Sequence, residues 1–160
     1  RAMPMADMHL FTPRASSPLV GLGIWASVSV GAAASSARAK ALTEEIRSSP
    51  PSRYSVIICE RLDDLTADGG EDELEALFKA CVDHELLVIS EADAQFYGSN
   101  FGLPLRARTS RAGMVLHPEG MEGHAIFRVD IPDIDRRALP PGRGFIVERG
   151  SVELVQVAAP

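Results

Sequence analysis

The sequence predicts an α/β domain: an open, mostly parallel sheet of the P-loop NTPase type, incomplete, ending in a C-terminal antiparallel hairpin. Three observations carry this expectation. Short apolar runs at residues 8–11, 54–59 and 86–89 read as strands, and two stretches of helical spacing fall between them. The chain then ends in two β-rich runs, 145–147 and 152–157, separated only by Glu148-Arg149-Gly150-Ser151.

The first run, Met8-His9-Leu10-Phe11, is closed by Thr12-Pro13-Arg14, where proline cannot continue a ladder. From Ser35, the recurrence of Ala37, Ala41, Leu42 and Ile46 predicts a helix with Ser35 or Ser36 as N-cap and Pro50-Pro51 as its stop. Val56-Ile57-Ile58 is an unbroken apolar core, which suits a central strand covered on both faces. Leu74, Leu77, Phe78, Cys81 and Val82 fall at i, i+3, i+4, i+7 and i+8 behind a first turn crowded with acids, so an amphipathic helix follows.

Leu86-Leu87-Val88-Ile89 reads as another buried strand. Residues 91–111 read as a helix broken around Gly98, Gly102 and Pro104, and 113–116 as a further strand leading into a polar surface loop over 119–123. Pro140-Pro141-Gly142-Arg143-Gly144 reads as a rigid turn that delivers the hairpin, which is expected to edge the parallel sheet.

A chain of 160 residues holds one core, so residues 1–160 are read as a single domain. Its 46% apolar and 24% charged residues place it with globular proteins and away from disordered ones. A formal charge of −6 argues against a broad electrostatic footprint for nucleic acid. Cys59 and Cys81 sit in apolar patterns without metal-ligand spacing and read as free buried thiols. Residues 19–34 are weakly polar but broken by glycines and serines, and read as neither a signal peptide nor a membrane span.

The order of features resembles the C-terminal ATPase-like domains of the FtsK/SpoIIIE family, which includes type VII secretion motors and forkhead-associated actinobacterial relatives. Leu10-Phe11-Thr12-Pro13-Arg14 with Ser17-Pro18-Leu19 is similar to the strand and Pro-Arg loop that follow the family's first helix. Residues 54–65 take the place of its Walker B strand, and residues 110–116 that of a late strand entry. The most distinctive match is Leu139-Pro140-Pro141-Gly142-Arg143-Gly144-Phe145-Ile146-Val147 with the closing Leu154-Val155-Gln156-Val157.

Departures from the family matter more for function. A phosphate cradle needs a glycine-rich loop and a lysine, yet no GxxxxGK[ST] occurs, and Lys40 and Lys79 both lie inside predicted helices. In the family the first strand, phosphate loop and first helix precede the region matched here, so the chain reads as the C-terminal part of such a domain. Where the resemblance implies an acid to hold Mg²⁺ stands Cys59, followed by Glu60, and a neutral thiol is a poor magnesium ligand.

Glu60, Asp63, Asp64 and Asp68 cluster after a strand, where α/β sheets place ligands; the last three equally suit a loop and helix N-cap. Cys81 and His84 are three apart on a helix, but Cys81 continues the apolar stripe. His9, His84, His117 and His124 show no ligand spacing, and no metal site is expected. Arg106, Arg108 and Arg111 form the densest basic group; the resemblance implies a trans-acting or interface role in a ring, and solvation or acidic pairing is the plainer alternative.

The leading expectation is a non-hydrolysing ATPase-like module of a larger DNA or protein translocase, regulatory or partner-binding, with no cofactor in this segment. The resemblance implies ATP and Mg²⁺ in the parent protein, contact with other ATPase domains of the same chain, and a ring-forming homo-oligomer. It also implies a cytoplasmic domain of a membrane-anchored protein with no direct membrane contact of its own. The alternative is the second half of a functional ATPase domain whose phosphate loop lies upstream, with Glu60 as catalytic acid or base. A third reading, an autonomous interaction domain, requires a sheet with no central gap.

Overall fold

The computed structural model describes residues 6–48, 54–118, 122–132 and 140–157. Its strands are β1 (Asp7–Thr12), β2 (Ser27–Val30), β3 (Ser55–Cys59), β4 (Leu87–Ser90), β5 (Gly113–Leu116), β6 (Arg143–Glu148) and β7 (Ser151–Gln156). Its α-helices are α1 (Ala32–Ser48), α2 (Leu62–Thr66), α3 (Glu71–Asp83) and α4 (Gly102–Ala107). Single 3₁₀ turns occupy Pro18–Leu22 and Phe96–Gly98, and a π turn occupies Gly123–Phe127.

The α/β class and the parallel sheet are as expected. Four parallel strands run in the order β2-β1-β3-β4, and β3 pairs directly with β4 from Val56 opposite Leu87 to Cys59 opposite Ser90, so no gap divides the described sheet. Strand β2 comes from the stretch read as irregular; it pairs with β1 from His9 opposite Ser27 to Thr12 opposite Val30. The step from β1 to β2 runs one way across the sheet, and the steps β2-α1-β3 and β3-α3-β4 run the other way. Right-handed crossovers therefore place α1 and α3 on one face, and the mostly non-helical connection 13–26 on the opposite one.

Alternation divides the side chains accordingly. Phe11, Ile57, Cys59 and Val88 point to the helix-covered face, where they pack with Ala39, Leu42 and Ile46 of α1 and Leu74, Leu77, Phe78 and Cys81 of α3. On the other face Leu10 and Thr12 are buried, while Val28, Val30, Leu87 and Ile89 are exposed. The expectation of a buried strand at β4 fails because β4 is an edge with one open face.

Helix α1 starts at Ala32 rather than near Ser35, and Ser35 is buried inside it instead of capping it. Its inward stripe is Ser35, Ala39, Leu42, Thr43 and Ile46, with Ala37 and Ala41 outside. The small polar Thr43 tolerates burial because its hydroxyl donates to the Ala39 carbonyl at 2.8 Å. The predicted stop at Pro50-Pro51 lies outside the described residues. Helix α3 follows its predicted stripe except that Ala80 faces inward and Val82 is 63% exposed. Gly102 and Pro104 do not break a helix; they open α4, where a missing N–H costs nothing.

The C-terminal hairpin is present, but it joins β5 in a separate antiparallel sheet, β5-β6-β7, instead of edging the parallel one. Gly144 is required where β6 crosses β5: a Cβ there would meet the Val115 carbonyl oxygen and the Leu116 Cα. The two-residue turn Arg149-Gly150 has φ of 51° and 82°, the left-handed pair that matches strand twist in a tight hairpin. Arg143 N–H donates to the Pro140 carbonyl at 3.0 Å, which makes the predicted turn into β6. Leu139 lies outside the described residues, as do residues 119–121 of the expected surface loop. Gly123, by contrast, is buried, and the π turn it opens packs Ile126 and Phe127 against Val115, Phe145 and Val147.

Candidate functional site at the switch of the parallel sheet

Strands β1 and β3 are neighbours whose outgoing connections leave toward opposite faces, and open α/β sheets place their ligand crevice at the carboxyl ends of such a pair. Thr12 ends β1 and Glu60 follows β3. The Thr12 hydroxyl donates to Glu60 Oε2 at 2.7 Å, and the Glu60 N–H donates to the Phe11 carbonyl at 2.9 Å, extending the ladder by one residue. The predicted acid therefore sits at the switch point, with its carboxylate held by a fully buried threonine.

Three further segments close around this pair. Arg61 adopts a left-handed conformation, φ 50°, and its N–H donates to Glu91 Oε2 at 2.8 Å. Its guanidinium lies 3.4 Å from Asp63 and 3.3 Å from Asp64, and these carboxylates raise its pKa further. Arg14, on the loop after β1, reaches Asp64 at 3.4 Å. Asp63 and Asp64 thus form the first turn of α2, paired with arginines, while Asp68 lies exposed beyond that helix. Among the described residues no three of His, Cys, Asp and Glu converge as metal ligands. The crevice presents two guanidinium groups against four carboxylates, a mixed-charge rim rather than an anion cradle.

The three arginines separate. Arg106 pairs with Glu75 of α3 at 3.3 Å. Arg108 donates to the Ser99 carbonyl at 3.0 Å, to Asn100 Oδ1 at 2.7 Å and to the Ala125 carbonyl, tying the end of α4 to the π turn. Arg111 is exposed with φ 51° and makes no side-chain bond among the described residues, so it is the one of the three free to reach outward.

The remaining candidates are structural in placement. Cys59 and Cys81 are free and buried; burial pushes the Cys59 thiol far up and the Cys81 thiol to about 12, so neither supplies a thiolate. His84 closes α3 through its backbone N–H to the Ala80 carbonyl. His9, His117 and His124 lie on β1, after β5 and in the π turn.

Two features escaped the sequence. Thr12 is the partner of Glu60, 48 residues away, and only the adjacency of β1 and β3 reveals it. His9, 6% exposed, bonds through Nδ1 to Ser27 Oγ at 2.8 Å, and Arg38 Nε donates to the same oxygen at 3.4 Å. Burial, then the Arg38 charge, lowers the His9 pKa against the opposing pull of Asp7 and Glu45.

No family model matches the chain, and no curated protein does. Among solved structures it is similar to the cytoplasmic domain of the type VII secretion ATPase EccC from Thermomonospora curvata, with 18% identity and a TM-score of 0.70. The likeness covers 98% of this chain and 20% of that one, so the chain spans about a fifth of the neighbour's length. At this identity the likeness concerns the fold. No helix among the described residues is long and apolar enough to cross a membrane.

Proposed function

We propose that the chain is an ATPase-like module of a larger translocase, one that does not itself hydrolyse nucleotide and instead positions neighbouring motor domains or receives a partner. The observation that carries this reading is the likeness of almost the whole chain to part of a secretion ATPase. The sequence supports the inactive form: it has no phosphate loop or Walker A lysine, and Cys59 stands where a magnesium-holding acid would be. Under this reading ATP and Mg²⁺ belong to the parent, which is membrane-anchored and ring-forming and moves protein or DNA, with this module on its cytoplasmic side. Arg111 is then the arginine available to a neighbouring domain.

The position of Glu60 favours a second reading, in which an upstream phosphate loop completes a working site and Glu60 orients or deprotonates a water. Glu60 would then have to share its carboxylate between Thr12 and that water. The unbroken β3–β4 pairing is also what an autonomous interaction domain requires, and any added strand must join an outer edge or part these two.

Isothermal titration with Mg-ATP decides among them. The expected result is no heat from this chain and none attributable to it in the complete polypeptide. Heat that appears in the complete polypeptide and falls at least tenfold in affinity or turnover with Glu60→Gln overturns the inactive reading in favour of the second.

A further inference from the structure

The two faces of the parallel sheet are unequally covered. On the face opposite α1 and α3, alternation along β3 presents Tyr54, Val56 and Ile58 and ends at Glu60, and along β4 it presents Leu87 and Ile89 and ends at Glu91. Val56 lies opposite Leu87 and Ile58 opposite Ile89, so these side chains form one strip two strands wide. Tyr54 is 67% exposed, Leu87 56% and Ile89 50%. Parallel strands are otherwise found almost only with both faces covered, and helices do the covering.

The strip also limits what can sit on it. Its exposed apolar area is on the order of 300 Å², enough to mark a contact surface and well below the roughly 800 Å² per partner that a stable dimer of globular domains buries. One helix fits that width; a second copy of the domain does not. Charge sets the direction: Glu60 and Glu91 stand together at the carboxyl end of the strip, and a helix N-terminus is the end that carchboxylates favour. That direction, antiparallel to the strands, is also the one α1 and α3 take as parallel-sheet crossovers on the covered face.

We propose that the strip of Tyr54, Val56, Ile58, Leu87 and Ile89 is the seat of a single amphipathic helix, its N-terminus at Glu60 and Glu91, supplied by the remainder of the translocase polypeptide. This rests on the reading of the chain as a module of a longer protein. The helix carries an apolar stripe at i, i+3, i+4 and i+7, and its seating shields the apolar edge formed by β4.

The test places a photo-activated benzoylphenylalanine at position 54 or 89 of the complete polypeptide and maps the cross-linked peptides by mass spectrometry. Ile89 pairs with Ile58, four residues along β3 from Tyr54. Four strand residues span about 13 Å, or roughly nine helical residues. The two probes should therefore capture one helical segment of the same polypeptide about nine residues apart, with the partner of position 89 nearer its N-terminus. Leu87→Ser with Ile89→Ser, at exposed positions, should leave the melting transition in place and cut capture from position 54 at least tenfold. Capture of a second copy in an isotope-mixed sample, capture of an extended segment, the reversed order, or no capture each overturns the proposal. Nucleotide binding by the same polypeptide is read separately, so a captured helix in a protein indifferent to Mg-ATP removes the motor reading while the seat stands.

Discussion

The parallel and antiparallel sheets reach their folds by different means. The parallel sheet is specified by buried side chains: Phe11, Ile57 and Cys59 from the strands mesh with leucines and small residues of α1, α2 and α3. The antiparallel sheet has a small core, Val115, Ile126, Phe127, Phe145 and Val147, and is specified largely by its backbone, through the close approach at Gly144 and the left-handed Arg149-Gly150 turn. A small sheet of this kind needs a neighbour to be stable. The difference implies a hierarchy: the larger unit can stand without the smaller, and the smaller depends on the larger.

The strongest way to break this comparison is Phe11→Ala. Phe11 is fully buried at the centre of the larger core, and its removal should cost about 3–5 kcal/mol in denaturant unfolding. Hydrogen exchange should show β6 and β7 losing protection together with β1 and β3; a hairpin that kept its protection would make the two sheets independent. Next in size is Gly144→Ala, which should cost about 1–3 kcal/mol by overpacking against Val115. Here amides of β5–β7 should exchange faster while those of β1 and β3 hold, and loss in both would refute the hierarchy.

The smallest effect is one of pH and belongs to the parallel sheet alone. His9 has a folded pKa below its ordinary 6.5, chiefly from burial, so the unfolded chain binds the proton more readily. Stability is therefore full above pH 6.5 and falls as pH drops through the lowered value. Melting temperatures between pH 7.5 and 5 should decline, and His9→Gln should flatten that decline; an unchanged slope would show that His9 stays neutral in both states.

Much of the larger unit was legible because its signals are local. Apolar runs marked β1 and β3, and helical spacing marked α3. Strand β2 was hidden because Ser27-Val28-Ser29-Val30 places small serines on the covered face, where packing against α1 leaves little room. The stripe of α1 was misassigned for a related reason: Ser35 and Thr43 are inside, and alanines are found on both faces. At the switch point, Glu60 was visible as an acid after a strand, but its tie to Thr12 depends on strand order, which no local pattern carries. The separation of Arg106, Arg108 and Arg111 was likewise invisible, since their partners Glu75 and Ala125 lie 31 and 17 residues away from Arg106 and Arg108.

Arg108 has one more consequence, for behaviour in salt. Arg106 and Glu75 are an exposed ion pair, and mobile ions weaken such pairs. The acceptors of Arg108 are two backbone carbonyls and an amide oxygen, none of which carries a charge for those ions to screen. The tie between α4 and the π turn of the smaller unit should therefore persist at ionic strengths that dissolve the Arg106–Glu75 pair, so the hinge between the two sheets keeps its set from dilute buffer to molar salt.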